Sequence, residues 1–169
     1  MKILVTGGCG FIGTNFTHKQ LEIGNMVINI DKLTYAGNID NFNDYKENKN
    51  YIFIKGSIED SKLINETLKK HQTDVIVNFA AESHVDRSID DPMSFVNTNL
   101  LGTASLLKET TQYLKCASLK RKKPFKFIHI STDEVYGSLQ EEGYFTEKTK
   151  YAPSSPYSAT KAGSDHLVR

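Results

Sequence analysis

Residues 3–13, Ile3-Leu4-Val5-Thr6-Gly7-Gly8-Cys9-Gly10-Phe11-Ile12-Gly13, run from an apolar segment into a loop with glycines at 7, 10 and 13. The apolar residues predict a buried strand from Ile3 to Thr6. The residues from about Gly10 to Glu22 predict a helix stopped by Gly24. A glycine loop between a strand and a helix lets the backbone approach a pyrophosphate, which then lies at the positive helix end. The spacing is GxxGxxG rather than GxGxxG, and glycine-rich turns are common. Its place after a first strand and before a helix reads as a dinucleotide-binding loop. Cys9 reads as a small filler of that loop rather than a reactive thiol.

Working outward, strands are expected at Met26 to Asp31, Tyr51 to Lys55, Val75 to Phe79 and Phe125 to Ile130. Helices are expected from Asp60 to His71, with Leu63, Ile64, Thr67 and Leu68 on one stripe, and from Pro92 to about Leu114. A final helix begins near Pro156. Near-continuous apolar strands alternating with helices imply an α/β fold, a doubly wound parallel sheet covered on both faces. Such a sheet of dinucleotide type normally carries six strands. Five are legible, so the chain reads as one incomplete domain, residues 1–169, the N-terminal part of a longer protein whose substrate region is absent.

The chain has 169 residues, and Leu, Ile, Val and Phe form about a quarter of them, enough for a core. A formal net charge of +1 supplies no general attraction to nucleic acid or anionic lipid. No apolar run approaches a membrane span, and the first residues turn glycine-rich too soon for a signal peptide. The two cysteines, Cys9 and Cys116, have no metal-ligand spacing, so no metal is expected. A soluble cytoplasmic protein is the expectation. Lys120-Arg121-Lys122-Lys123 could be a targeting signal but reads better as a solvated loop before the fifth strand.

Asp31 closes the second strand 18 residues after Gly13. An acid there takes the ribose hydroxyls of NAD and repels the 2′-phosphate of NADP. A plain solvated strand-end aspartate is the alternative, and Lys32 beside it weakens the electrostatic case. Four Tyr-x-x-x-Lys pairs occur, so the spacing alone says little. Tyr45 with Lys49 and Tyr144 with Lys148 lie in irregular stretches, and Tyr51 with Lys55 in a strand. Only Tyr157 and Lys161 open a helix, where four residues apart means one face. A lysine ammonium there would lower the tyrosine pKa and make Tyr157 a base for a substrate hydroxyl during hydride transfer. Asp133 and Glu134 follow the fifth strand. Strand-end acids can merely cap backbone. Beside Tyr157 and Lys161 they suit elimination of water, one group removing a carbon-bound proton and the other protonating the departing hydroxyl.

Thr6 to Gly13, Asp31 and Tyr157-Ser158-Ala159-Thr160-Lys161 together resemble the extended short-chain dehydrogenase/reductase family, over the whole chain. The stretches Ile30 to Asn38, Ala80 to Ile89, Ile130 to Gly137 and Ala152 to Arg169 resemble its nucleotide-sugar 4,6-dehydratases. The resemblance implies a Rossmann-type NAD-binding domain, NAD as cofactor, and internal oxidation, dehydration and reduction of dTDP-glucose to a 4-keto-6-deoxy sugar. By it, Tyr157 removes the 4-hydroxyl proton, Lys161 holds the cofactor ribose and Thr132 bonds the 4-oxygen. Glu134 takes the C5 proton and Asp133 protonates the C6 hydroxyl.

The same resemblance places Gly7, Gly10, Phe11, Ile12 and Gly13 at the pyrophosphate and Asp31, Lys32, Leu33 and Thr34 at the adenosine ribose. Ser57 and Ile58 fall at the adenine, where the family usually has an acid in place of Ser57. Phe79, Ala80, Ala81, Glu82 and Ser83 line the nicotinamide side, Thr98, Tyr157 and Lys161 meet the cofactor, and Ser83 meets the sugar. His84 and Asp86 read as loop-shaping residues, with a general-acid role as the alternative. A UDP-glucose dehydratase, a 4-epimerase, a uronate decarboxylase and a non-catalytic NAD-binding module are the rival readings. The expected partners are a nucleotide-sugar substrate and a second copy in a homodimer, without nucleic acid or membrane. A polypeptide ending at Arg169 is expected to be inactive by itself.

Overall fold

The computed structural model describes residues 1–117, 124–139 and 143–169. The Lys120–Lys123 stretch lies outside the described residues. The chain divides into two compact units: Met1–Ala80 with Ser105–Ile130, and Ala81–Ala104 with Ser131–Arg169.

The first unit holds a five-stranded parallel sheet of β1 (Lys2–Thr6), β2 (Met26–Asp31), β3 (Tyr51–Lys55), β4 (Val75–Asn78) and β5 (Lys126–His129). The spatial order is β3-β2-β1-β4-β5, so strand order reverses between β1 and β4. That switch point is where doubly wound sheets bind ligands, and the glycine loop leaves β1 beside it. Residues of β1 alternate between two cores. Leu4 packs with Ile28, Ile64, Leu68, Ile76 and Leu106 on one face, while Ile3 and Val5 pack with Leu21, Val27 and Val77 on the other. Helix α1 (Phe11–Glu22) ends at Gly24, whose φ of +81° is the left-handed geometry that glycine adopts freely. Helix α2 (Ser61–His71) starts on Asp60, whose carboxylate accepts the Leu63 N–H at 3.0 Å. These elements match the sequence expectation to within two residues.

One helix does not. The run expected from Pro92 to Leu114 is α4 (Pro92–Phe95), a π-helical stretch Val96–Gly102 and α5 (Thr103–Ala117). The periodicity is helical throughout, and the widened turn is invisible to it. The second unit adds α3 (Val85–Asp90), a 3₁₀ turn Asp133–Tyr136 and α6 (Pro156–Val168). α6 opens on Pro156 behind a reciprocal Ser155–Ser158 cap, which determines where Tyr157 leaves the backbone. Another 3₁₀ segment, Ile39–Tyr45, follows β2 and buries Phe42 against Tyr51, ring centroids 4.7 Å apart.

Candidate active site

In the first unit the glycine loop is held from below. Asp31 is buried, and its two oxygens accept the N–H groups of Cys9 and Leu33, each at 2.8 Å. A carboxylate expected only to meet a ribose therefore also shapes the loop. Lys32 points to Glu59, 3.7 Å away at the surface, so its charge has a partner of its own. Leu33 takes a left-handed φ of +57°, and Thr34 turns the chain by accepting the Gly37 N–H at 3.1 Å. Burial and the Asp31 charge push the Cys9 thiol up to about 12, which leaves it an unreactive filler.

Internal packing explains three of the four loop glycines. A Cβ on Gly7 would lie 2.6 Å from the Ala80 nitrogen, and Gly7 has a φ of +70°. Cβ atoms on Gly8 and Gly13 would collide with the Asn29 amide and the Gly7 carbonyl. Gly10 differs: its φ is −74° and a Cβ there would meet only the Gly7 carbonyl oxygen at 3.5 Å. Among the described residues nothing requires glycine at that point. The requirement fits a group resting on the loop from outside. Gly10 also precedes α1 without a side-chain cap, and the first turn carries no acid, so the helix opens with donors for an anion. Phe11 and Ile12 stand exposed on that turn. These features fit a dinucleotide pyrophosphate.

The second unit brings together the residues expected to act as acid and base. Tyr157, on the first turn of α6, is buried edge-on to Phe95, with the Thr132 side chain among the groups that bear on it. Glu134 and Asp133 bear on it electrostatically, and the Thr132 hydroxyl accepts the Glu134 N–H at 3.3 Å. Burial chiefly raises the Tyr157 pKa; Thr132 opposes it, and the two carboxylates add to it. The sequence expectation of a lowered pKa is corrected by this arrangement. Lys161 lies one turn on, 3% exposed, and burial lowers its pKa to about 8 while Asp165 raises it. An ammonium so desolvated cannot by itself outweigh burial of the phenol.

Of the other expected residues, Phe79 and Ala80 directly follow β4 in the first unit, Phe79 packing on Phe16 with ring centroids 5.3 Å apart. Ser57 accepts the Glu59 N–H at 3.2 Å, and Ile58 is a core residue. Ala81, Glu82, Ser83 and Thr98 belong to the second unit, with Ser83 exposed. His84 precedes α3 without a side-chain capping bond, and Asp86 is exposed.

The protein-family model described as "GDP-mannose 4,6 dehydratase" matches residues 4–169. The chain belongs to this family. A family relative, dTDP-glucose 4,6-dehydratase of Xanthomonas campestris pv. campestris strain B100, is 54% identical over 98% of the chain and 47% of its own length. The crystal structure of Bacillus anthracis dTDP-glucose 4,6-dehydratase in complex with NAD matches with a TM-score of 0.83 and 44% identity. That match covers 99% of this chain and 49% of the other. A Thermotoga maritima UDP-glucose 4-epimerase with UDP-glucose superposes as well, TM-score 0.85, at 31% identity over 99% of this chain and 50% of its own. Fold alone thus does not separate dehydratase from epimerase. The chain spans about half the length of the curated relatives it matches.

Within this family member, three supporting residues were not legible in the sequence. Asn29 lies under the glycine loop. Asn99, in the π-helical stretch, bonds both the N–H and the carbonyl of Glu82 (2.8 and 2.9 Å) and the Thr160 hydroxyl (3.0 Å). Asp165 accepts from Ser131 at 2.6 Å and from Tyr151 at 2.9 Å. A polar residue at an apolar position of a strand or helix was the only signal.

Proposed function

We propose that the protein carrying this chain is an NAD-dependent dTDP-glucose 4,6-dehydratase. The observation that carries this reading is the grouping of Thr132, Asp133 and Glu134 at one 3₁₀ turn, all three bearing on Tyr157 at the start of α6. Epimerisation at C4 needs a base at the hydroxyl; loss of water needs two further proton carriers. The identity with dTDP-glucose dehydratases, well above that with the epimerase, supports the same choice.

In this reading Gly7, Gly10, Phe11, Ile12 and Gly13 hold the pyrophosphate, and Asp31, Lys32, Leu33 and Thr34 the adenosine ribose. Ser57 and Ile58 meet the adenine, while Phe79 to Ser83 and Thr98 serve the nicotinamide end. NAD, when bound, would supply the acceptor that takes hydride from C4 and returns it at C6, and a positive ring that favours the Tyr157 phenolate. Tyr157 takes the 4-hydroxyl proton, Thr132 bonds the 4-oxygen, and Lys161 holds the cofactor ribose and favours the phenolate. The resulting 4-ketone acidifies the C5 proton, which Glu134 removes. Asp133 protonates the C6 hydroxyl as water leaves, and Ser83 contacts the sugar. Asp31 makes NAD preferred over NADP by repelling a 2′-phosphate. The working form is a cytoplasmic homodimer; exposed Ile89, Met93 and Leu101 in the second unit suit a subunit contact.

The test is product analysis of the full-length protein with dTDP-glucose and UDP-glucose. A 4-keto-6-deoxy product from dTDP-glucose is expected. A C4 epimer, or turnover of UDP-glucose alone, overturns the reading.

A further inference from the structure

Asn29 occupies the middle of β2, paired in register with Val5 and Phe53 and fully buried. An amide in a central strand is poorly suited to its place and costly unless its hydrogen bonds are made. Here its oxygen accepts the Gly8 N–H at 3.1 Å, and its nitrogen donates to the Tyr51 hydroxyl at 3.1 Å and the Cys9 sulfur at 3.4 Å. Every amide bond points at the glycine loop or at Tyr51 beneath it, and none serves the sheet.

The loop's N–H groups can be followed one by one. Gly7 donates to the Ile30 carbonyl at 2.9 Å, Gly8 to Asn29, Cys9 to Asp31, and Gly10 to the Gly7 carbonyl at 3.3 Å. Four successive donors are thus turned inward, and two are held by side chains of β2. The donors next in line are those of Phe11, Ile12 and Gly13, which open α1 and have no carbonyl one turn back within it. Gly8 is glycine because a Cβ would strike the Asn29 amide. The two residues therefore fit each other, and among the described residues the Asn29 amide bonds only to Gly8, Cys9 and Tyr51.

We propose that Asn29, braced by Tyr51, is a positioning residue for the cofactor loop: it turns the Gly8 amide into the sheet and so leaves the first turn of α1 as the pyrophosphate donor. It touches no ligand itself. Loss of Asn29 frees the 8–9 peptides to rotate, and the cost of ordering them again falls on cofactor binding. This inference rests on the dinucleotide reading of the loop.

The experiment measures NAD dissociation constants and thermal midpoints of the full-length protein for Asn29→Ala, Gly8→Ala, the double variant and Tyr51→Phe. Ile64→Ala, in the core on the other face of the sheet, serves as the control for stability. Asn29→Ala is expected to weaken NAD binding about tenfold or more beyond Ile64→Ala at a comparable fall in midpoint, and to raise KM for NAD with kcat at saturation little changed. The double variant should bind about as well as Asn29→Ala, because the Gly8 Cβ then has room. Tyr51→Phe, which keeps the Asn29 amide, should cost about threefold, and it carries the test if Asn29→Ala does not fold. Affinity that merely follows stability, or strictly additive losses at Gly8 and Asn29, overturns the proposal while leaving the dinucleotide reading intact. A wild type that binds no NAD removes both.

Discussion

The glycine loop of the first unit and the Tyr157 cluster of the second solve different problems with different materials. The loop is built of backbone: its N–H groups are held inward by Asn29, Asp31 and two carbonyls, and its side chains are absent or small. The cluster is built of side chains, and their protonation follows from burial: Tyr157 pushed up, Lys161 pushed down to about 8. A binding loop needs fixed dipoles at constant charge, whereas a proton-transfer site needs groups whose charge can change. Mutations should therefore act on affinity in one region and on turnover, with its pH dependence, in the other.

The largest break in that contrast comes from Tyr157→Phe. Steady-state turnover of the full-length enzyme should fall by about 10²- to 10⁴-fold, with the NAD dissociation constant almost unchanged. Equal losses in both would show that the cluster also builds the binding loop. Within the loop, Gly7→Ala and Gly10→Ala separate shape from access. The first meets both a left-handed φ and the Ala80 backbone, so a destabilisation of about 1–3 kcal/mol is expected in chemical denaturation. The second has room inside the chain, so stability should hold while calorimetry shows NAD binding weakened about tenfold, roughly 1.4 kcal/mol.

A pH profile sharpens the other side of the comparison. Burial lowers the Lys161 pKa and Asp165 raises it, so Asp165→Asn should let Lys161 lose its proton at lower pH. The ammonium is the useful form, so activity above neutrality should fall off earlier than in the wild type, while the loop's NAD affinity at pH 6 stays the same. An alkaline limb that does not move would detach Asp165 from the lysine. The smallest effect is expected at Lys32. Its exposed bridge to Glu59 is worth about 0–1 kcal/mol at most, so Lys32→Ala should change stability in chemical denaturation by no more than that.

Much of this molecule is written locally. Apolar runs separated by helical stripes determine the strands, and glycine spacing against Asp31 determines the loop, because hydrophobic period and backbone freedom are properties of short segments. The same holds for Tyr157 and Lys161, whose shared helix face follows from a four-residue offset. What the tertiary structure alone decided is how those residues are charged and braced. Burial is a sum over neighbours from distant parts of the chain, so neither the raised Tyr157 nor the lowered Lys161 is visible in a motif. The π-helical turn at Val96–Gly102 has the same apolar pattern as a regular helix, and its purpose shows only when Asn99 reaches Glu82 and Thr160. Asn29 looks like a flaw in a strand until the Gly8 amide lies against it, 21 residues away in sequence and 3.1 Å in space.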